Sequence, residues 1–90
     1  MKTQRRKTIP GLPEFKAQID DWARQGAEAE RKGDHALART YARDVQDLRA
    51  VYDAVADGRV ADAARHIEQL DTIVRDQVPN AVFRAIFGRD

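Results

Sequence analysis

The stretch from Asp34 to Asp57 most constrains what this chain can fold into, because it contains neither proline nor glycine and is bounded by Gly33 and Gly58. Its large apolar side chains recur at spacings of four and three residues, which places them on one face of a helix. They are Leu37, Tyr41, Val45, Leu48, Tyr52 and Val55. Aspartate is a favourable N-cap, and a glycine can take the left-handed conformation that ends a helix. The pattern predicts one long helix over Asp34–Asp57, the scaffold of the fold.

Helical periodicity also predicts three further helices around this scaffold. The first begins at a proline, which suits the first turn of a helix. The predicted ranges are Pro13–Lys32, Arg59–Gln77 and Pro79–Phe87. Turns of one or two residues make neighbouring helices antiparallel. We therefore expect an all-α fold within residues 13–90: an antiparallel three-helix bundle built on the long central helix, plus a short C-terminal fourth helix.

Residues 1–12 are predicted to form a flexible basic arm, because they are polar and end in the turn signal Pro10-Gly11. The arm carries four positive charges, on Lys2, Arg5, Arg6 and Lys7, although the formal net charge of the whole chain is only +1. Such an arm could contact phosphates without reading sequence. A solubilising tail is the other interpretation of the same residues.

Several classes of function are excluded or disfavoured by what the chain lacks. Without cysteine it has no disulfide, no thiolate nucleophile and no cysteine-ligated metal site. No nucleophile motif, phosphate-binding loop or metalloprotease motif is present. Asp62 and His66 are one helical turn apart, and we interpret them as a surface pair; we likewise expect Asp20 to pair with Arg24. We expect a protein that is not an enzyme and binds no cofactor, metal or small-molecule substrate.

The sequence also indicates where in the cell the protein is located. No apolar run of signal-peptide or membrane-spanning length occurs, so we expect a soluble cytoplasmic protein without a membrane partner. Heavy use of alanine, arginine, aspartate and valine is typical of GC-rich bacterial genomes.

Small residues mark the turns between the predicted helices. Gly33 and Gly58 are 25 positions apart, as are Ala38 and Ala63, which gives the chain a weak internal repeat. Gly26 lies inside the first predicted helix, where glycine costs about 1 kcal/mol relative to alanine. We expect a neighbouring helix to approach closely at that position.

The first half of the chain resembles a tetratricopeptide unit over about thirty residues. The resemblance is carried by Trp22, Gly26, Gly33, Ala38 and Ala42. The chain departs from that pattern at Gln25 and Ala29, lacks the closing proline, and has no second copy at the family's period of about 34 residues. We interpret the shared residues as those that any two close antiparallel helices with a tight turn require.

The C-terminal helix carries a wide apolar face on only two or three turns, formed by Val82, Phe83, Ile86 and Phe87. Such a face must be buried on its own bundle or on another chain. We predict that these residues form a protein interface, with Trp22 as a further candidate. The leading hypothesis is a small protein–protein interaction module, a regulator or adaptor that forms a homodimer.

Two other functions remain open. One is a nucleic-acid-associated accessory protein that uses the basic arm. No basic face continues onto the body, because Arg39 and Arg43 alternate with Asp44 and Asp47. The other is an inhibitor of the kind encoded by phages and plasmids. It would occlude a macromolecular partner through the mildly acidic part of the chain that follows the basic arm.

Overall fold

A computed structural model describes residues 10–88 of the chain. Within that range the chain forms α1 (Leu12–Arg31), α2 (His35–Ala56), α3 (Val60–Glu68), α4 (Thr72–Arg75) and α5 (Asn80–Phe87), and no strand. α1 and α2 form a long antiparallel hairpin, α3 packs on α2, and α5 packs on α3. The predicted all-α class is confirmed, and both long helices lie within one or two residues of their predicted bounds.

The turns after α1 and α2 have the same structure. Gly33 and Gly58 follow the two helices with φ of +86° and +82°. In each turn the next residue bonds back to the third-last residue of the helix: Asp34 N–H donates to Ala29 O at 2.9 Å, and Arg59 N–H to Ala54 O at 2.7 Å. This is the Schellman arrangement, which satisfies carbonyls that the helix end leaves free. The sequence repeat of 25 residues is therefore a repeated helix-ending turn.

The third predicted helix, Arg59–Gln77, is wrong in its length. α3 ends at Glu68, and the chain turns through Leu70 before α4 begins. Asp71 adopts an extended conformation, with ψ of 156°, at the N-cap of α4. Neither glycine nor proline marks this break, and the apolar residues keep a helical spacing across it. The sequence therefore predicted one continuous helix. Leu70 and Val74 lie on either side of the break, and both are buried against the core.

The core lies where α3, α4 and α5 meet one end of the hairpin. Its largest fully buried side chains are Phe15, Leu48, Val51, Val55 and Val82. Val51 and Ala54 are completely buried although they lie off the predicted apolar stripe of α2, because this part of α2 is covered on more than one side. At the other end of the same stripe Leu37 is 44% exposed.

The molecule thus has two dissimilar ends. α2 is about 33 Å long and α3 only about 14 Å, at ~1.5 Å per residue. We call residues 22–44 the hairpin tip, since none of the fully buried side chains of the core cluster lies there. The remainder, where α3, α4 and α5 pack, is the packed end. No helix among residues 10–88 is long and apolar enough to cross a membrane.

Candidate interaction surfaces

α5 divides its apolar side chains between the core and the surface. Val82 is completely buried and Ile86 is 6% exposed, whereas Phe87 is 47% exposed. Phe83 is half-buried against the core, and its ring stacks on that of Phe87 with 6.2 Å between centroids and 18° between planes. The outward face of α5 is therefore a pair of stacked phenyl rings.

Contacts from α1 hold α5 in place. A Cβ built on Gly11, just before α1, would lie 3.0 Å from Ala81 Cβ and 3.2 Å from Val82 Cγ2, so the two backbones approach closely. Gln18 Nε2 of α1 donates to Gln77 Oε1, before α5, at 2.6 Å. These contacts join the two ends of the described chain.

The partial burial of α5 reduces the set of residues that can form the predicted interface. Val82 and Ile86 belong to the core of their own chain, so the side chains that α5 offers to a partner are Phe83 and Phe87. Ile73 on α4 is the most exposed large apolar side chain of the described residues, at 69%. Its exposure follows from the break before α4.

Trp22, the further interface candidate, packs against other side chains within the hairpin tip. Its ring meets that of Tyr41 edge-on, with centroids 5.3 Å apart and planes at 70°. Trp22 Nε1 donates to Asp44 Oδ2 at 3.4 Å, and the Tyr41 hydroxyl donates to Gln25 Oε1 at 3.0 Å. Trp22 therefore links α1 to α2 and is half-buried.

An open groove of about 420 Å³, which we call the tip groove, runs between α1 and α2 from the hairpin tip as far as Arg49. Its lining is Ala23, Gly26, Ala27, Glu30, Ala38, Tyr41, Ala42, Val45, Gln46 and Arg49. At its floor the helices nearly touch, since a Cβ on Gly26 would lie 2.8 Å from Tyr41 Cβ. This confirms the close approach expected at Gly26.

Six of the eleven lysine and arginine side chains within residues 10–88 are paired with carboxylates, and the arginines beside the groove are among the five that are not. The paired ones are Lys16, Arg24, Arg31, Lys32, Arg59 and Arg65. Arg39, Arg43 and Arg49 of α2 have no carboxylate partner within 4.0 Å among residues 10–88. The sequence predicted that Asp44 would lie beside these arginines and balance their charge. Instead, its carboxylate accepts a hydrogen bond from Trp22 of α1.

Two predicted surface pairs are wrong. Asp62 bonds Arg65 at 2.7 Å and Arg59 at 3.1 Å instead of His66. The hydrogen bond from Arg65, followed by that from Arg59, lowers the pKa of the Asp62 carboxyl, and the bond to Asp62 is the main cause that raises the pKa of Arg59.

Asp20 bonds Lys16 at 3.4 Å, while Arg24 bonds Asp21. In both cases an arginine pairs with the aspartate three residues before it, Arg65 with Asp62 and Arg24 with Asp21. Elsewhere on α1, the hydrogen bond from Arg31 lowers the pKa of Glu28.

The basic arm residues Lys2, Arg5, Arg6 and Lys7 lie outside the described residues, so their contact with nucleic acid stays a prediction. Among residues 10–88 no group of three or more histidine, aspartate or glutamate side chains comes together as a metal site would require. No protein-family model, no curated protein and no solved structure matches this chain. The tetratricopeptide resemblance therefore rests on the spacing of its five residues.

Proposed function

We propose that this chain is a small non-catalytic protein–protein interaction module, a regulator or adaptor, that self-associates through the outer face of α5. One observation carries the proposal: Phe87 is 47% exposed and stacks on Phe83, on a helix whose opposite face is anchored in the core. Fully burying a phenyl side chain contributes about 1.5–3 kcal/mol, of which roughly half is still to be gained at Phe87. In a twofold dimer each such contact occurs twice, which favours a second copy of the chain as the partner.

The anchoring of α5 also supports this role. Val82 and Ile86 hold the helix in the core, and its N-terminal turn lies against Gly11. A surface that is already ordered loses little conformational freedom when it binds, so more of its contact energy appears as affinity.

The test is the solution mass of the full chain, measured by light scattering after size exclusion, for wild type and Phe87→Glu. We expect wild type to be dimeric at about 100 µM, as is common for weak self-association, and Phe87→Glu to be monomeric. Ala85→Glu is the matched control, since Ala85 is exposed on the same helix but two residues away and so on the opposite side. It adds the same charge and should leave the dimer intact.

Two results would contradict the proposal. A monomeric wild type at that concentration would show that the chain does not self-associate. Equal dimerisation of wild type and Phe87→Glu would show that copies meet elsewhere. Circular dichroism of all three chains checks that the helices are retained.

A further inference from the structure

Three arginines of α2 lie in or beside the tip groove, spread over about three helical turns. Arg49 lines the groove itself. Arg39 and Arg43 line an adjoining depression on α2 that shares Ala42 and Gln46 with the groove. Ten residues separate Arg39 from Arg49, which corresponds to about 15 Å along a helix. All three side chains are exposed and lack a carboxylate partner among residues 10–88, so their charge is available to a ligand.

The floor of the groove is apolar and shallow. Gly26 and Val45 are buried at its base, and four alanines, Ala23, Ala27, Ala38 and Ala42, contribute small side chains to its walls. Every residue of the lining belongs to α1 or α2. A ligand that fits here must present a narrow apolar face to the floor and negative charge to one side.

We propose that this groove is a second docking surface, which binds an acidic amphipathic helix of a partner protein. Carboxylates spaced at helical turns on that helix would face Arg39, Arg43 and Arg49, and its small apolar side chains would cover the alanines. Complementary charge of this kind gives specificity and speeds association. The proposal concerns a different surface from Phe87 and stands whether or not the chain dimerises.

The alternative ligand, nucleic acid, fits the groove less well. A duplex bound through its phosphates would leave the alanine floor unfilled, since such binding is largely electrostatic. Glu30 of α1 lines the groove, and Asp47 is exposed one turn beyond Arg43 on α2. Both carboxylates would repel phosphates, whereas a helix can place its own side chains to avoid them.

The experiment titrates the full chain against a fluorescent synthetic helical peptide that has glutamates on one face and alanine and leucine on the other. Fluorescence anisotropy reports binding. We expect this peptide to bind, more weakly as salt is raised, and a version with lysine in place of each glutamate not to bind. We expect Arg39→Gln/Arg43→Gln/Arg49→Gln to weaken binding about tenfold. Ala42→Trp, which fills the groove without changing its charge, should abolish binding of the peptide.

The matched control is Arg24→Gln/Arg31→Gln/Arg65→Gln, which removes the same net charge from arginines that are already paired. It should change affinity by less than about twofold. Phe87→Glu should bind the peptide as wild type does, which separates this proposal from self-association.

Several outcomes would overturn the inference. They are failure of wild type to bind the acidic peptide, equal weakening by the two triple variants, and loss of binding in Phe87→Glu. Tighter binding of duplex DNA than of the peptide, lost in the groove triple variant, would assign the arginines to nucleic acid instead.

Discussion

The packed end and the hairpin tip are built from the same two helices but are stabilised differently. At the packed end α1 and α2 contribute Phe15, Leu48 and Val55 to a core that three further helices close. At the tip they contact each other across Gly26 and Tyr41, and Arg39 and Arg43 of α2 have no carboxylate partner within 4.0 Å among residues 10–88. The difference indicates that stability is concentrated at the packed end, whereas the tip depends on a few contacts between two helices.

The sharpest test of this comparison is one apolar truncation at each end. Phe15→Ala removes a completely buried ring that meets Tyr52 at 5.7 Å, and we expect it to lower the free energy of unfolding by about 3–5 kcal/mol. Leu37→Ala, at a position 44% exposed, should cost about 0.5 kcal/mol or less. Urea denaturation followed by circular dichroism measures both. Similar losses at the two sites would mean that the tip is as important to stability as the core.

An intermediate effect is expected where the tip helices come closest. Gly26→Ala places a methyl group 2.8 Å from Tyr41 Cβ, an atom that cannot move without the backbone. Overpacking of this kind costs about 1–3 kcal/mol, offset in part by the roughly 1 kcal/mol that alanine gains as a helix former. We expect a net loss in the urea midpoint. A stability equal to or above wild type would show that α1 and α2 can separate at the tip without cost.

The smallest effect concerns the exposed ion pairs of α3. The bonds from Arg65 and Arg59 hold the pKa of Asp62 below its ordinary value in the folded chain, so the unfolded chain binds this proton more readily. The resulting stabilisation is present at neutral pH and is lost as the pH falls through the lowered pKa. We expect Asp62→Asn to be slightly less stable than wild type near neutrality and equal to it in strong acid.

Urea titrations at the two pH values check this expectation, with Asp47→Asn as an exposed control that has no ion pair within 4.0 Å among residues 10–88. A difference between Asp62→Asn and wild type that grows in acid would contradict the assigned sign.

Sequence was sufficient where local chemistry decides structure. Gly33 and Gly58 end their helices as predicted, because the left-handed residue of a Schellman turn is a local requirement. The break after α3 was missed, although Asp71-Thr72 are residues typical of a helix start. The burial of Val51 and Ala54 depends on helices packing from more than one side, which a single apolar stripe cannot indicate.

The candidate surfaces show the same limit. Four apolar residues of α5 form one face in the sequence, but only packing separates buried Val82 from exposed Phe87. Likewise, the alternation of Arg43 with Asp44 in the sequence gave no sign that Arg43 would lack a carboxylate partner among residues 10–88. Asp44 keeps its charge but bonds Trp22 on the facing helix, so tertiary contacts decide which carboxylates lie beside these arginines.

The contact of Gly11 and Gln18 with the α5 region has a consequence for folding order. Gln18 and Gln77 are separated by 59 residues, whereas the hairpin contacts of Trp22 with Tyr41 and Asp44 span about twenty. Closing a long loop costs more chain entropy than closing a short one, and distant contacts form slowly. We expect the hairpin to assemble first and α5 to dock last. The phenyl pair is then presented in its final orientation only once the chain has closed, so a partner at that surface would select completed molecules over nascent ones.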